Sequence, residues 1–311
     1  MTSKHSSISS IIDTILIIRP KPSPCILMRI GGKRDGAYLI PDDLDGIEAC
    51  FSPGVCNFKN FEDELTDTHG IKCHMCDYSS DVNQLQTPLR EGMQTFKKKW
   101  LDIDGGADSI LLADWIEELS PVATSDLLLQ MDIEGAEYRN LLNCKDSILK
   151  RFRIIVLELH DLKVVNDVVK FEKELGPLLR KLDKNFVCVH SHPNNNGGNF
   201  MLAETGFNIP NLLELTFLRR DRFERVKESD WHKPLIPHPL DINFNVIRKQ
   251  PLFLSESWCN DGSRDLVSKI KMIRCWLAYI PSKLTYISSK AVRKAKNTIK
   301  SAFPFLSRSR Y

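Results

Sequence analysis

Three carboxylates that end an apolar segment form the strongest chemical signal in the chain. The segment DLLLQMDIEGAE places Asp132, Glu134 and Glu137 at the end of a run that is typical of a buried strand. Glu137 has a structural explanation, because carboxylates favour the first turn of a helix. Asp132 has none, since ionising a side chain within a buried strand is costly. Asp132 and Glu134 are therefore candidate catalytic residues that face a ligand or a metal.

Two pairs of polar side chains have the spacing of neighbours on one face of a strand. Glu158 and His160 are two residues apart in RIIVLELH, and His190 and His192 are two apart in FVCVHSH. The side chains of residues i and i+2 of a strand point to the same face of the sheet, so the two members of each pair lie side by side. Carboxylate and imidazole groups serve as general bases, which makes Glu158 and His160 further catalytic candidates.

A metal site is one interpretation of these groups, provided that their strands end close together. Carboxylate and imidazole ligands suit manganese, iron or zinc, and such an ion could orient and acidify a hydroxyl group. The predicted ligands are Asp132, Glu158, His160, His190 and His192. The alternative is a purely organic site, in which the histidines hydrogen-bond a substrate or Asn194 and Asn195.

A glycine turn and an acid follow the first two predicted strands. Ser52 and Gly54 end the first strand, and Asp77 ends the second. In α/β proteins that bind nucleotides, such a glycine allows close approach of the backbone, and an acid at the second strand binds ribose hydroxyls. A dinucleotide fingerprint needs three glycines, so a plain turn at Gly54 and a helix cap at Asp77 are the alternatives.

The elements that position these residues alternate between strands and helices. Strands are predicted over residues 47–51, 71–75, 126–133, 153–159, 186–192 and 212–218, and helices over 137–142, over 164–182 and around the apolar positions 58, 61 and 65. This alternation predicts a mainly parallel sheet with helices on both faces. Ligands of such sheets bind beyond the carboxyl ends of the strands, where the polar residues lie.

Five segments also carry a resemblance to a known family. They are RIGGKRDGAYLIPDDL, FSPGVCNFKNFEDEL, LLLQMDIEGAEYRNLL, IVLELHDL and VHSHPNNNGG. In order and spacing they resemble the FkbM-type family of S-adenosylmethionine-dependent methyltransferases, over roughly residues 28–245. The resemblance implies an α/β fold with a doubly wound, seven-stranded, Rossmann-like methyltransferase sheet. All strands of that sheet are parallel except one late strand.

The resemblance also implies a cofactor and a reaction. The methionine part of S-adenosylmethionine would lie near Gly54, its ribose near Asp77 and the reacting centre near Asp132 and Glu134. The cofactor-binding residues are then Ser52, Gly54, Glu62, Asp77 and Asp132. The implied reaction is methyl transfer to a hydroxyl of a sugar or another small molecule. Cys56 departs from the family, which usually has a second glycine near this position.

A non-catalytic protein with a methyltransferase fold is the alternative function. Such a scaffold would use a basic tail to hold RNA or a membrane. It has no need of so many polar groups at its strand ends, which favours the enzyme.

The net charge of +3 conceals an acidic body and a basic tail. Residues 266–311 contain 11 Lys or Arg and no acidic residue, which leaves a net charge of −8 on residues 1–265. We therefore divide the chain into an N-terminal helical segment (1–27), a methyltransferase domain (28–250) and a basic, partly helical, amphipathic tail (251–311). The tail predicts peripheral contact with an anionic membrane, or a helix packed on the body. Nucleic acid is disfavoured, because no recognised RNA or DNA module accompanies the charge.

The nine scattered cysteines predict a reducing, cytoplasmic location, and the basic tail predicts association with a membrane. The CHMC segment at 73–76 lacks a second pair of ligands at metal spacing, so buried structural cysteines are the favoured interpretation. The chain shows no apolar run of about 20 residues and no signal-peptide pattern.

Overall fold

A computed structural model describes residues 8–33, 35–202, 205–242, 245–259 and 268–279. The strands are β1 Leu27–Ile30, β2 Tyr38–Pro41, β3 Ile47–Pro53, β4 Lys72–Cys76, β5 Gln94–Lys97, β6 Trp100–Leu101, β7 Ser109–Ile110, β8 Asp126–Met131, β9 Phe152–Leu159, β10 Phe186–Pro193, β11 Asn199–Met201, β12 Asn208–Pro210 and β13 Leu213–Arg219. The α-helices are α1 Ile8–Ile15, α2 Asn60–His69, α3 Leu112–Leu119, α4 Glu137–Asn143, α5 Asp146–Leu149, α6 Val168–Lys173 and α7 Leu175–Asp183.

Seven strands form a central sheet in the order β5-β4-β3-β8-β9-β13-β10. All neighbours are parallel except β13, which is antiparallel to both β9 and β10. The protein is thus a mixed α/β structure with a mostly parallel central sheet, compatible with a Rossmann-like fold. This confirms the prediction of a mostly parallel, seven-stranded sheet.

Both faces of the sheet are covered, as the continuous apolar strands predict. Along β8, Leu127, Leu129 and Met131 belong to a core formed with α1, α3, α4 and α7. Leu128 belongs to a second core on the opposite face, formed with α2 and the β1–β2 hairpin. Gln130 follows Leu128 on that second face, buried and polar.

The prediction of one helix over residues 164–182 is wrong. The segment forms a 3₁₀ turn at Leu162–Asn166 and the separate helices α6 and α7, with non-helical backbone at Glu174. Pro177 explains the break. Its ring would clash with the carbonyl of residue 173 in a continuous helix, whereas proline is tolerated in the first turn of α7.

The packed core extends across both of the domain boundaries predicted from sequence. Ile11, Ile15 and Ile18 are buried in the first core. Trp258 is fully buried, and its indole Nε1 donates a hydrogen bond to the Asn208 carbonyl at 2.9 Å. Of the basic tail, residues 268–279 are helical, while 260–267 and 280–311 lie outside the described residues. Within the described ranges, no helix combines the length and apolar character that crossing a bilayer requires.

Candidate functional site

A cavity of about 350 Å³ lies at the carboxyl ends of β3 and β8. Within the sheet, β4 and β5 lie on one side of β3, and the next strand of the sheet, β8, lies on its other side. The strand order therefore reverses at β3 and β8, and this is the topological switch point where α/β sheets bind ligands. The cavity is lined by Asp35, Gly36, Tyr38, Gly54, Val55, Cys56, Phe58, Asn60, Glu62, Gln86, Gln130 and Asp132. None of these described lining residues is Lys, Arg or His.

Position 54 requires glycine because the ends of β3 and β8 approach each other closely there. Its φ is +86°, and a Cβ atom at this position would lie 1.6 Å from the backbone oxygen of Asp132. The Gly54 amide donates to the Cys76 carbonyl at 2.9 Å, and the Asp132 amide donates to the Pro53 carbonyl at 3.3 Å. The glycine turn is therefore packed directly against the DIEGAE segment, and both line one cavity.

Cys56 and Asn57 continue the turn in the left-handed region, with φ of 44° and 63°. This conformation favours glycine, so glycine would be less strained than cysteine at position 56. The Cys56 amide donates to Asp77 Oδ2 at 2.8 Å, and the Asn57 amide donates to Ser80 Oγ at 3.1 Å. These two hydrogen bonds tie the turn to the segment that follows β4.

Asp77 stabilises the turn at Cys56 and Asn57 by hydrogen bonds, and it does not line the cavity. Its carboxylate accepts hydrogen bonds from the Cys56 amide, from the amide and hydroxyl of Ser79, and from the hydroxyl of Ser80, all at 2.7–2.8 Å. Burial alone would raise the pKa of Asp77, but these bonds hold it below its ordinary value. Contact of Asp77 with ribose stays a prediction, and it requires a serine to release the carboxylate.

Glu62 lies in the first turn of α2 and reaches the cavity from one side. Ser52, fully buried at the end of β3, contacts the Glu62 carboxylate and lies 2.5 Å from Gln130 Oε1. Burial raises the pKa of Glu62 to about 7, although the hydrogen bond from Ser52 opposes the shift. Ser52 and Glu62 are therefore in contact beside the cavity, which Glu62 lines and Ser52 does not, and their binding of a cofactor stays a prediction.

Asp132 and Glu158 form a carboxyl pair across the ends of β8 and β9. Glu158 also accepts a hydrogen bond from the Asn194 amide at 2.8 Å and lies 3.4 Å from the Tyr38 hydroxyl. Burial raises the pKa of both carboxyls, and that of Asp132 reaches about 7. The pair can thus hold or release a proton near neutral pH.

His160 lies among three carboxylates at the same edge. Its Nε2 is 3.8 Å from Asp132 Oδ1 and 3.4 Å from Glu134 Oε2. Its Nδ1 is 3.3 Å from Oε1 of Glu137, which is fully buried. Burial would lower the pKa of His160, but Glu137 and the other carboxylates raise it above the ordinary value.

The predicted convergence of His190 and His192 on Asp132 is wrong. β13 lies between β10 and β9, so these histidines are two strands, or roughly 10 Å, from Glu158. Their partner is Asp241, at 3.0 Å from His190 Nε2 and 3.5 Å from His192 Nδ1. The five predicted metal ligands therefore divide into two separate groups.

The sequence interpretation missed three acids near the site. Glu137 was explained as a helix-terminus acid, but its carboxylate accepts from the Ile133 amide at 2.9 Å and faces His160. Glu214 lies opposite Glu158 in register and, with Asp35, brings three carboxylates within 4.8 Å of one another. The signal was present for Glu214, because a carboxylate interrupts the apolar strand LLELTFL. Asp35 gave no comparable signal.

The buried cysteines of CHMC agree with their structural interpretation. Cys73 and Cys76 lie on β4, and both are free and buried.

No protein-family model matches the chain, and no curated protein matches it. What the chain does has to be inferred from its own motifs and from the geometry of this site.

Proposed function

We propose that the chain is an S-adenosylmethionine-dependent methyltransferase that methylates a hydroxyl group of a sugar or another small molecule. One observation carries the proposal: the switch-point cavity is lined by Asp35, Glu62 and Asp132 without a cationic side chain among its described residues. S-adenosylmethionine carries a positive sulfonium, an ammonium and one carboxylate, which gives it a net positive charge, and it carries no phosphate. The charge of the cavity complements that cofactor, and its volume lies in the range of small-molecule sites.

The same residues disfavour cofactors that carry phosphate. Dinucleotides bind with their phosphates at a helix N-terminus that follows a glycine-rich turn. Here the helix after the glycine turn is α2, and Glu62 and Asp63 occupy its first turn. Asp63 is ion-paired with Lys59, but Glu62 lines the cavity near the positive end of the helix dipole and, when ionised, would repel a phosphate. The local charge thus supports a nucleoside cofactor that is cationic.

The residues at the strand ends fit the chemistry of hydroxyl methylation. When bound, S-adenosylmethionine supplies a methyl group on a positive sulfur, which an acceptor oxygen attacks in line. The S–C bond breaks as the O–C bond forms, and the hydroxyl proton passes to a base of the protein. Asp132, Glu158 and His160 are the available bases, and they lie together beside the cavity. Positioning of the acceptor and removal of this proton are the contributions of the chain.

We expect the purified chain to transfer radiolabel from methyl-labelled S-adenosylmethionine to a small-molecule fraction of a cell extract. Glu158→Gln keeps the shape of the side chain but removes a base, so the rate should fall by about 10²–10⁴-fold. Glu117→Gln, at an exposed position on α3, is the matched control and should keep the rate. Label that appears only in protein, or a Glu158→Gln rate equal to that of the parent, would contradict the proposal.

We further propose that the C-terminal segment contacts an anionic membrane surface. The helix over residues 268–279 packs on the body through Ser268, which donates to the Pro237 carbonyl, and Lys271, which donates to the Pro239 carbonyl. Its outer face exposes large apolar side chains, among them Ile273 at 59% and Leu277 at 61%. The sequence from 266 to 311 adds 11 basic and no acidic residues, which complements anionic lipid.

Flotation with vesicles tests the membrane proposal. The parent chain should float with vesicles of phosphatidylserine and phosphatidylcholine and remain behind with phosphatidylcholine alone. Replacing Ile273 and Leu277 together with Glu should reduce the bound fraction by about tenfold or more, because apolar burial and charge attraction are both weakened. Val122→Glu, at another exposed apolar position, is the control. Failure of the parent chain to float with anionic vesicles would overturn this proposal.

A further inference from the structure

His160 has one ring nitrogen fixed and the other directed at two carboxylates. Nδ1 faces Glu137, which lies in the first turn of α4, and Nε2 faces Asp132 and Glu134 at 3.8 and 3.4 Å. Atoms that are each about 2.0–2.2 Å from one metal ion lie roughly 3–4 Å apart. The spacing around Nε2 therefore matches that of donors around a shared ion. A set that shares Asp132 and His160 with these donors is also compact, since Asp132, Glu137 and His160 each place a ligand-type atom within 4.8 Å of the others.

Glu137 provides an independent indication. It is fully buried, and its Oε2 has no hydrogen-bond partner among the described residues. Its Oε1 accepts from the Ile133 amide and lies 3.3 Å from His160 Nδ1, which also lies 3.1 Å from the Glu158 backbone oxygen. A buried carboxylate that holds the outer nitrogen of an imidazole is the usual second partner of a metal-binding histidine, because it fixes the tautomer and orients the ring.

The charge around this group is not balanced by the protein. In the described part of the chain, Asp132, Glu134 and Glu137 form ion pairs with His160 and with no Lys or Arg. Glu134 is 87% exposed, so it can turn toward an ion from the solvent side.

We propose that Asp132, Glu134 and His160 Nε2 bind one divalent transition-metal ion, and that Glu137 holds the opposite nitrogen of His160. Mixed carboxylate and imidazole donors fit manganese, iron or zinc. The site deepens the proposed methyl transfer and rests on it for its role: an ion here would orient an acceptor hydroxyl and lower its pKa, which leaves Glu158 as the base. Binding of the ion itself does not depend on that role.

Titration of the chelator-stripped, untagged full chain with Mn²⁺ and with Zn²⁺, without S-adenosylmethionine, tests the site. We expect about one ion per chain for at least one of the two metals, with affinity at least tenfold lower in His160→Gln and in Asp132→Asn. Glu137→Gln should lose about 10–100-fold, as is typical of an outer partner. Glu134→Gln changes an exposed side chain that no core packing depends on, so its loss of affinity is readable even if a buried variant misfolds. His232→Gln is the matched histidine control and should bind as the parent does.

Less than about one tenth of an equivalent of either metal on the parent chain would overturn the site. Equal affinity of the parent, His160→Gln and Glu134→Gln would overturn it as well, and loss of the ion in His192→Gln alone would move the site to Asp241.

A separate titration of S-adenosylmethionine in the presence of chelator tests the proposed function. A chain that binds the metal but not the cofactor would support this site and contradict the methyltransferase proposal. A chain that binds the cofactor but not the metal would contradict this site and support the methyltransferase proposal.

Discussion

Gly54→Ala is expected to destabilise the protein by about 2–4 kcal/mol and to abolish measurable binding of S-adenosylmethionine. The added Cβ would lie 1.6 Å from the Asp132 backbone oxygen and 2.7 Å from its carbonyl carbon. Neither atom belongs to a flexible side chain, so the turn or the end of β8 has to move. Such movement separates the two strand ends that form the cavity. Urea unfolding and calorimetric titration measure the two effects.

Gly92→Ala is the matched control for this substitution. Gly92 also has positive φ, +71°, but a Cβ atom at this position meets nothing within 4 Å. Gly92→Ala should therefore cost only the strain of a left-handed backbone, about 1–2 kcal/mol of unfolding free energy, and should leave cofactor binding unchanged. If Gly54→Ala were no more damaging than Gly92→Ala, close packing of the glycine turn on β8 would not be what the cavity depends on.

Glu62→Gln is expected to make the protein more stable at pH 8 and less able to bind its cofactor. Burial raises the pKa of Glu62 from 4.5 to about 7. A carboxyl whose pKa is raised on folding stabilises the protein below its unfolded pKa, and this contribution is lost as the pH rises through the folded pKa. The parent chain therefore bears a cost of about 3 kcal/mol at pH 8, which glutamine avoids. At pH 5 the two proteins should differ little.

Cofactor binding should change in the opposite direction. Above pH 7 the ionised Glu62 attracts a cationic ligand, so affinity of the parent should fall as the pH is lowered through 7. The Gln variant should bind about tenfold more weakly at pH 8 and show a flatter pH profile. Glu117→Gln controls for the substitution itself. A stability difference that is constant from pH 5 to pH 8 would show that Glu62 is not the titrating group.

The central strands were predictable because their residues are apolar on both faces. β3, β8, β9, β10 and β13 match the predicted runs to within two residues at nearly every end. β5 was not predicted, since QTFK offers neither an apolar run nor alternation, and parallel pairing with β4 defines it as a strand. The break at Glu174 was readable from Pro177, whose effect acts four residues upstream.

The residues of the candidate site could be predicted from sequence only where strands that follow one another along the chain are also neighbours in the sheet. Gly54, Glu62 and Asp132 share a cavity because the ends of β3 and β8 meet at the switch point. The histidines of β10 were misplaced because β13, which comes later in the chain, inserts between β10 and β9. The order of strands in space is set by packing of the whole sheet, and spacing along the sequence does not report it. Asp77 shows a second limit, since three of its four hydrogen bonds depend on how Ser79 and Ser80 fold back toward its carboxylate.

Calorimetric titration of the full chain at pH 8 with S-adenosylmethionine, and in parallel with NAD⁺ and ATP, tests the central claim most directly. The acid-lined cavity predicts binding of one equivalent of S-adenosylmethionine and none of either phosphate-bearing nucleotide. Glu62→Gln should weaken the cofactor titration and leave the other two unchanged. A folded chain that ignores S-adenosylmethionine would favour the non-catalytic scaffold, and one that binds NAD⁺ or ATP in its place would contradict the charge argument on which the proposal rests.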